Sequence, residues 1–204
     1  MTKIKICGLT RKQDILAVNE ALPDYIGFVF AGSRRQINEE VALELKELLR
    51  PEILSVGVFV NEQIARIKHL CDRGIIDIVQ LHGDETPTYI HQLKASISMP
   101  IIKAFRVSTS EALKDTMSYP CDYFLLDTYH KKQYGGTGEC FDWTVIPKLS
   151  KPYFLAGGIN SENVSEAIKR FKPYCVDISS AVETEGYKDA NKVKGIIQLV
   201  RSVE

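Results

Sequence analysis

The sequence predicts a single-domain (β/α)8 TIM barrel spanning residues 1–204. Short apolar, β-branched runs alternate with amphipathic segments from one end to the other. Strand starts recur roughly every 21 to 30 residues, the length of one compact βα unit. Eight such units fit the chain and none reads as an edge strand, which disfavours the competing open, doubly wound sheet. At 204 residues the barrel is small beside the ~250 residues common for the fold.

The strands are expected at residues 3–7, 25–30, 54–60, 76–81, 101–106, 123–127, 153–156 and 175–179. Helical stripes lie between them. Val41, Leu45, Leu48 and Leu49 share one face; so do Val164, Ala167, Ile168 and Phe171, and so do Val193, Ile196, Ile197 and Val200. Thr10 with Gln13 and Ser108 with Glu111 have capping-box spacing. Pro87 follows Thr86 as a proline at the first helical position does, and Asn61 and Asn160 are expected N-caps.

Composition narrows the function. Lysine plus arginine balances aspartate plus glutamate at 26 each, so no net charge steers the chain toward nucleic acid. No apolar run approaches the roughly 18 residues of a membrane span. Five cysteines without a CxxC pair do not make a disulfide framework and suit a reducing cytoplasm.

In a barrel of this kind active sites gather where the strands end. Cys7 sits there, before Gly8 and a helix start, where a helix N-terminus is expected to favour the thiolate. Asp127 closes the run "YFLLD" and is a candidate general acid; His82 and Asp177 end two other strands. "AGSRRQI" places Arg34 and Arg35 as a cationic spot suited to a carboxylate or phosphate. "FLAGGINSENV" and "VDISSAVETEG" follow the last two strands, where many barrels hold phosphate. Gly157, Gly158, Ser179, Ser180 and Ala181 are the expected donors. Gly135, Gly136, Thr137 and Gly138 form a candidate lid loop.

Other chemistries compete for the same residues. Cys7, His82, Asp127 and His130 would make a zinc set, but no pair has a recognisable close ligand spacing. Lys5 and Lys103, if both face the barrel interior, raise Schiff-base chemistry. Pairing of an interior lysine with a strand acid such as Asp177 is the simpler expectation.

The ordered segments "KICGLT", "GFVF…SRR", "VGVFVN", "VQLHGDE", "LLDT…YGGTGECFDW", "LAGGINSENV" and "VDISSAVET" resemble the phosphoribosylanthranilate isomerase family over nearly the whole chain. The resemblance implies a cofactor-free, metal-free barrel that performs an Amadori rearrangement on a phosphorylated sugar in tryptophan biosynthesis. It implies Asp127 as general acid and Cys7 as general base. Arg35 would hold the anthranilate carboxylate, Asp177 would contact the sugar region, and the glycine–serine loops would hold phosphate; His82, from its place at a strand end, is a further candidate substrate contact. Ala181 stands where the family commonly has glycine, which would matter if the loop required a positive φ. The histidine-pathway Amadori isomerase has a related phosphate site but aspartate at the strand 1 position, so Cys7 argues against it. A barrel that only binds a phosphorylated ligand is the non-catalytic alternative. Neither monomer nor homodimer is favoured by the helix faces.

Overall fold

Eight parallel strands close into a barrel in the computed structural model, which describes residues 1–107, 116, 118–128 and 149–203. The strands are β1 (Lys3–Cys7), β2 (Tyr25–Val29), β3 (Leu54–Phe59), β4 (Ile78–Leu81), β5 (Ile101–Val107), β6 (Tyr123–Thr128), β7 (Tyr153–Ala156) and β8 (Cys175–Ile178). Each pairs with its sequence neighbour, and β1 closes the ring by pairing with β8 in the register Lys5 to Asp177. The described helices are α1 (Lys12–Ala21), α2 (Glu39–Leu48), α3 (Ile64–Asp72), α4 (Pro87–Lys94), α5 (Val164–Phe171) and α6 (Ala190–Ser202). After β8 come a 3-10 turn (Ser180–Val182) and a small hairpin of β9 (Glu183–Thr184) and β10 (Tyr187–Lys188).

Strand alternation divides the core in two. Val56, Ile78, Ile102, Leu125 and Phe154 fill the barrel. Ile4, Ile6, Phe28, Val79, Leu126 and Val176 face outward and meet the helices. Lys5 and Lys103 fall on opposite sides of this division. Lys5 lies within the barrel beside Asp177, its Nζ 2.8 Å from Oδ2. Lys103 lies between inward Ile102 and Ala104, so it faces the outer layer instead. There it pairs with Glu85 at 2.7 Å, so only Lys5 faces the interior, in the pairing with Asp177 that was the simpler expectation.

Several boundaries move for local reasons. β4 starts at Ile78, not at residue 76, because the Asp77 carboxylate accepts from Ser55 N and Lys46 Nζ and anchors the approach to the strand. β2, β3 and β8 each end one residue earlier than expected, whereas β5 and β6 run one residue further. Thr86 caps α4, its Oγ1 accepting from Tyr89 N, with Pro87 opening the helix.

The other caps differ from the sequence reading. Arg11, not Thr10, precedes α1, and Asp14 supplies the carboxylate that accepts from the Thr10 and Arg11 amides. Asn61 adopts φ 50° and accepts from Asp84 N, while α3 starts after Gln63. Asn160 caps a turn ahead of α5 by accepting from Glu162 and Asn163 amides. On α2 the buried stripe runs through Ala42 and Leu45, and Leu48 is exposed. The expected stripes of α5 and α6 hold: Val164, Ala167, Ile168, Val193, Ile196, Ile197 and Val200 are buried. The Ser108–Glu111 capping box, His130 and the lid residues Gly135, Gly136, Thr137 and Gly138 lie outside the described residues.

Candidate active site

A cavity of about 850 Å³ opens where the barrel strands end. Ten residues expected at the site from sequence line it: Cys7, Arg35, His82, Asp127, Gly157, Gly158, Asp177, Ser179, Ser180 and Ala181. Val29, Val58, Val60 and Ile159 add an apolar wall. Convergence follows from parallel strands ending on one face, so that residues distant in sequence share a rim.

Cys7 ends β1 opposite Gly27 of β2. A Cβ on Gly27 would lie 2.6 Å from Cys7 Sγ, so the glycine makes room for the thiol. Burial raises the Cys7 pKa above its ordinary 9.0, with Lys5 opposing, Asp177 adding to the rise, and Lys188 opposing again. The expected lowering by a helix N-terminus is therefore corrected: enclosure outweighs the nearby positive charge. Lys5 remains charged nonetheless. Burial alone would depress it, but Asp177 and Cys7 together hold its pKa above the ordinary value.

Asp127 lies on β6, three strands round the ring from Cys7. Its Oδ2 is 3.2 Å from His82 Nε2, and His82 Nδ1 is 2.9 Å from Gln80 Nε2. Both nitrogens of His82 are thus engaged by protein groups, which speaks for an orienting role and against a zinc ligand. Asp177 Oδ1 and Gln80 Oε1 are buried without a hydrogen-bond partner among the described residues, and both residues line the cavity. Such acceptors are matched to hydroxyl donors on a ligand.

Gly157 and Gly158 have φ of 78° and 75°, a pair of left-handed positions that side chains disfavour. Asn163 Nδ2 donates to Gly158 O at 2.9 Å and fixes this turn. In the loop after the neighbouring strand β8, Ser179 Oγ donates to Cys7 O at 3.1 Å, tying the second loop to β1. Ala181 lies inside the 3-10 turn and is not among the positive-φ residues, so alanine fits there without strain. The first amides of such a turn lack internal acceptors and suit an anion.

Arg35 follows β2, and its stem crosses Gly8, where a Cβ would meet Arg35 Cδ at 2.3 Å. Its Nε and Nη2 donate to Glu183 Oε1 and Oε2 at 2.7 and 3.0 Å. Lys188, opposite Glu183 in the hairpin, reaches the same carboxylate at 2.8 Å, and Arg34 also joins it. Burial would raise Glu183, but Arg35 and Lys188 outweigh it and hold the carboxyl at about 2. Sequence reasoning missed Glu183 and Lys188. The available signal was an acid two residues beyond the Ser180–Ala181 turn, in "AVETEG".

Among the described residues, no group of three or more His, Cys, Asp or Glu side chains is placed to hold a metal ion. Nor is any described helix long and apolar enough to cross a membrane.

Comparison with known proteins shows the family. The family model described as N-(5'phosphoribosyl)anthranilate (PRA) isomerase matches residues 4–199. A relative from Endomicrobium trichonymphae, named N-(5'-phosphoribosyl)anthranilate isomerase, is 48% identical over 203 residues, covering 100% of both chains. A crystal structure of phosphoribosyl anthranilate isomerase from Thermotoga maritima superposes with a TM-score of 0.88. It is 36% identical, with 98% of this chain and 99% of that one covered. Another crystal structure of such an isomerase is in complex with reduced 1-(o-carboxyphenylamino)-1-deoxyribulose 5-phosphate. It has a TM-score of 0.84 and 32% identity, with 98% of this chain and 99% of that one covered. The chain belongs to the N-(5'-phosphoribosyl)anthranilate isomerase family.

Proposed function

We propose that this cavity carries out the family's reaction, the Amadori rearrangement of N-(5'-phosphoribosyl)anthranilate to 1-(2-carboxyphenylamino)-1-deoxyribulose 5-phosphate, a step of tryptophan biosynthesis. The supporting observation is that one cavity joins a carboxyl group, a thiol, an arginine and two phosphate-type loops.

Asp127 gives its proton to the furanose ring oxygen as the C1–O bond breaks and the anilino nitrogen lone pair forms C1=N. Cys7, as thiolate, then takes the proton from C2, and those electrons form the C1=C2 bond of an enolamine. Ketonisation returns a proton to C1 and leaves the carbonyl at C2. Carbon 1 is reduced as carbon 2 is oxidised, so the reaction needs no external redox cofactor. An acid and a base placed across the substrate are the required equipment.

The remaining residues orient. His82, which lines the cavity and was expected among the substrate contacts, also holds the Asp127 carboxyl through Nε2. The open acceptor of Asp177 receives a sugar hydroxyl. Arg35 meets the anthranilate carboxylate, with Val29, Val58 and Val60 beside the ring. The turns at Gly157–Gly158 and Ser179–Ala181 hold the phosphate, and anchoring that remote group supplies orientation.

We read residues 1–204 as one barrel domain acting on a small phosphorylated sugar. The described cysteines, Cys7, Cys71, Cys121 and Cys175, are free, which suits a cytoplasmic setting.

Direct turnover tests the reading. Phosphoribosylanthranilate generated in situ should lose its fluorescence faster with the protein than by spontaneous breakdown. Cys7→Ser and Asp127→Asn should each lower kcat by about 10²- to 10⁴-fold. A folded Cys7→Ser variant with near-normal kcat would remove the base assignment.

A further inference from the structure

We propose that Glu183 is the positioning residue that gives Arg35 its specificity for an aryl carboxylate. The proposal rests on the reading of Arg35 as the carboxylate-binding group. It goes further in naming what sets that group's aim.

Arginine binds a carboxylate best when its planar fork is held in one orientation. A free arginine in a loop would lose that orientation to rotamer freedom. Here the guanidinium is gripped from two sides. Gly8 leaves space for the stem to cross β1's end, since its Cβ position is 2.3 Å from Arg35 Cδ. Glu183, its side chain only 5% exposed, takes Nε and Nη2 in a two-point contact. Arg35 lines the cavity, and its Nη1, which has no hydrogen-bond partner among the described residues, is left as the edge for a ligand.

Glu183 also reaches the other end of the site. Its Oε1 accepts from Lys188, whose Nζ donates at 3.0 Å to the carbonyl of Ser179. A single carboxylate therefore sets Arg35 against the turn that begins at Ser179. A ligand carrying a carboxylate at one end and a phosphate at the other would find both sites at a fixed separation. The arrangement also keeps charge for the ligand. One glutamate faces Arg34, Arg35 and Lys188, so the cluster stays positive after internal pairing.

The test compares two unreactive ligands on the full chain: reduced 1-(2-carboxyphenylamino)-1-deoxyribulose 5-phosphate and its phenyl counterpart without the carboxylate. Binding is measured by calorimetry for the wild type, Glu183→Gln, Glu183→Asp and Arg35→Met, after thermal melts confirm folding. In Glu183→Gln the preference for the carboxylated ligand should fall by about tenfold or more, while the phenyl ligand binds within about twofold of wild type. KM should rise more than kcat falls. Glu183→Asp keeps the charge but shortens the arm, so it too should lose preference. Adding Glu183→Gln to Arg35→Met should not lower the preference for the carboxylated ligand any further.

If both Glu183 variants keep the wild-type preference while Arg35→Met loses it, the positioning role is overturned and the reading of Arg35 stands. If Arg35→Met keeps the preference, the carboxylate assignment fails and the inference with it. Tighter binding of the carboxylated ligand by Glu183→Gln would show that Glu183 competes with the ligand, and would also overturn the proposal.

Discussion

Lys5 and Lys103 are both buried strand lysines, each paired with a carboxylate, at 2.8 and 2.7 Å, yet they face opposite sides of the sheet. The outer pair is saturated. Glu85 accepts from Lys103 and from the amides of Asn61 and Gly83, and Lys103 also donates to Gly83 O. It ties the loop after β3 to the loop after β4, immediately beyond His82. The inner pair keeps a carboxylate oxygen, Asp177 Oδ1, with no partner among the described residues, and Lys5 lies close enough to Cys7 to perturb it. The same chemistry thus makes a staple on one face and part of a reactive site on the other.

The largest expected effect that separates them is on catalysis. Lys5→Met removes the strongest influence lowering the Cys7 pKa. Burial and Asp177 raise that pKa, and Lys5 and Lys188 oppose them, with Lys5 outranking both Asp177 and Lys188. Even if the stranded Asp177 takes up a proton, the net change leaves the thiol harder to ionise. Only the thiolate is alkylated. The pH midpoint for iodoacetamide reaction at Cys7 should therefore lie above 9 in wild type and move higher still in the variant, with kcat/KM reduced at neutral pH. An unchanged midpoint in a folded Lys5→Met protein would detach Lys5 from the base.

Lys103→Met is expected to act on stability instead. Removing one member of a buried pair strands the other, at a typical cost of about 3–5 kcal/mol. Urea unfolding should record that loss, while the pH midpoint for Cys7 stays at the wild-type value. A second substitution, Glu85→Gln, should recover part of the stability, because it removes the stranded charge while its amide oxygen keeps accepting from the Asn61 and Gly83 amides. A shift of the Cys7 midpoint in Lys103→Met would erase the contrast between the two pairs.

These two lysines also mark how far the sequence could be read. Alternation placed Lys5 on the side of Cys7, and the register to Asp177 follows from the β1–β8 pairing. Lys103 needed the inward positions of Ile102 and Ala104, which only the closed barrel fixes. The rim residues were legible because parallel strands deliver their C-terminal ends to one face. The thiol's direction of shift was not, because it depends on how fully the site is enclosed and on cations from three different segments. Glu183 was hidden for a related reason. Its arginine partners stand 148 and 149 residues earlier in the chain, and only the fold brings them together. The caps were misread for separate reasons: Asp14 reaches back to the Thr10 and Arg11 amides, Asn61 accepts from Asp84 across the rim, and Asn160 does cap two amides, but of a turn ahead of α5.

Ala181→Gly should have the smallest effect, and it tests whether the second phosphate loop is as settled as the staple around Glu85. Alanine occupies a 3-10 turn without a positive φ, and the turn is held on one side by Ser179 Oγ on Cys7 O and on the other by Lys188 on Ser179 O. Glycine there gains no conformation that the turn requires and adds entropy to the unfolded chain, for a loss of about 0.4–1 kcal/mol. The apparent affinity for inorganic phosphate should be unchanged, because the amides at residues 180 and 181 keep their places. A clear gain in phosphate affinity would mean that the ligand-bound loop uses a backbone geometry alanine resists. The turn would then be remodelled by its ligand, unlike the fully bonded loop beside Lys103.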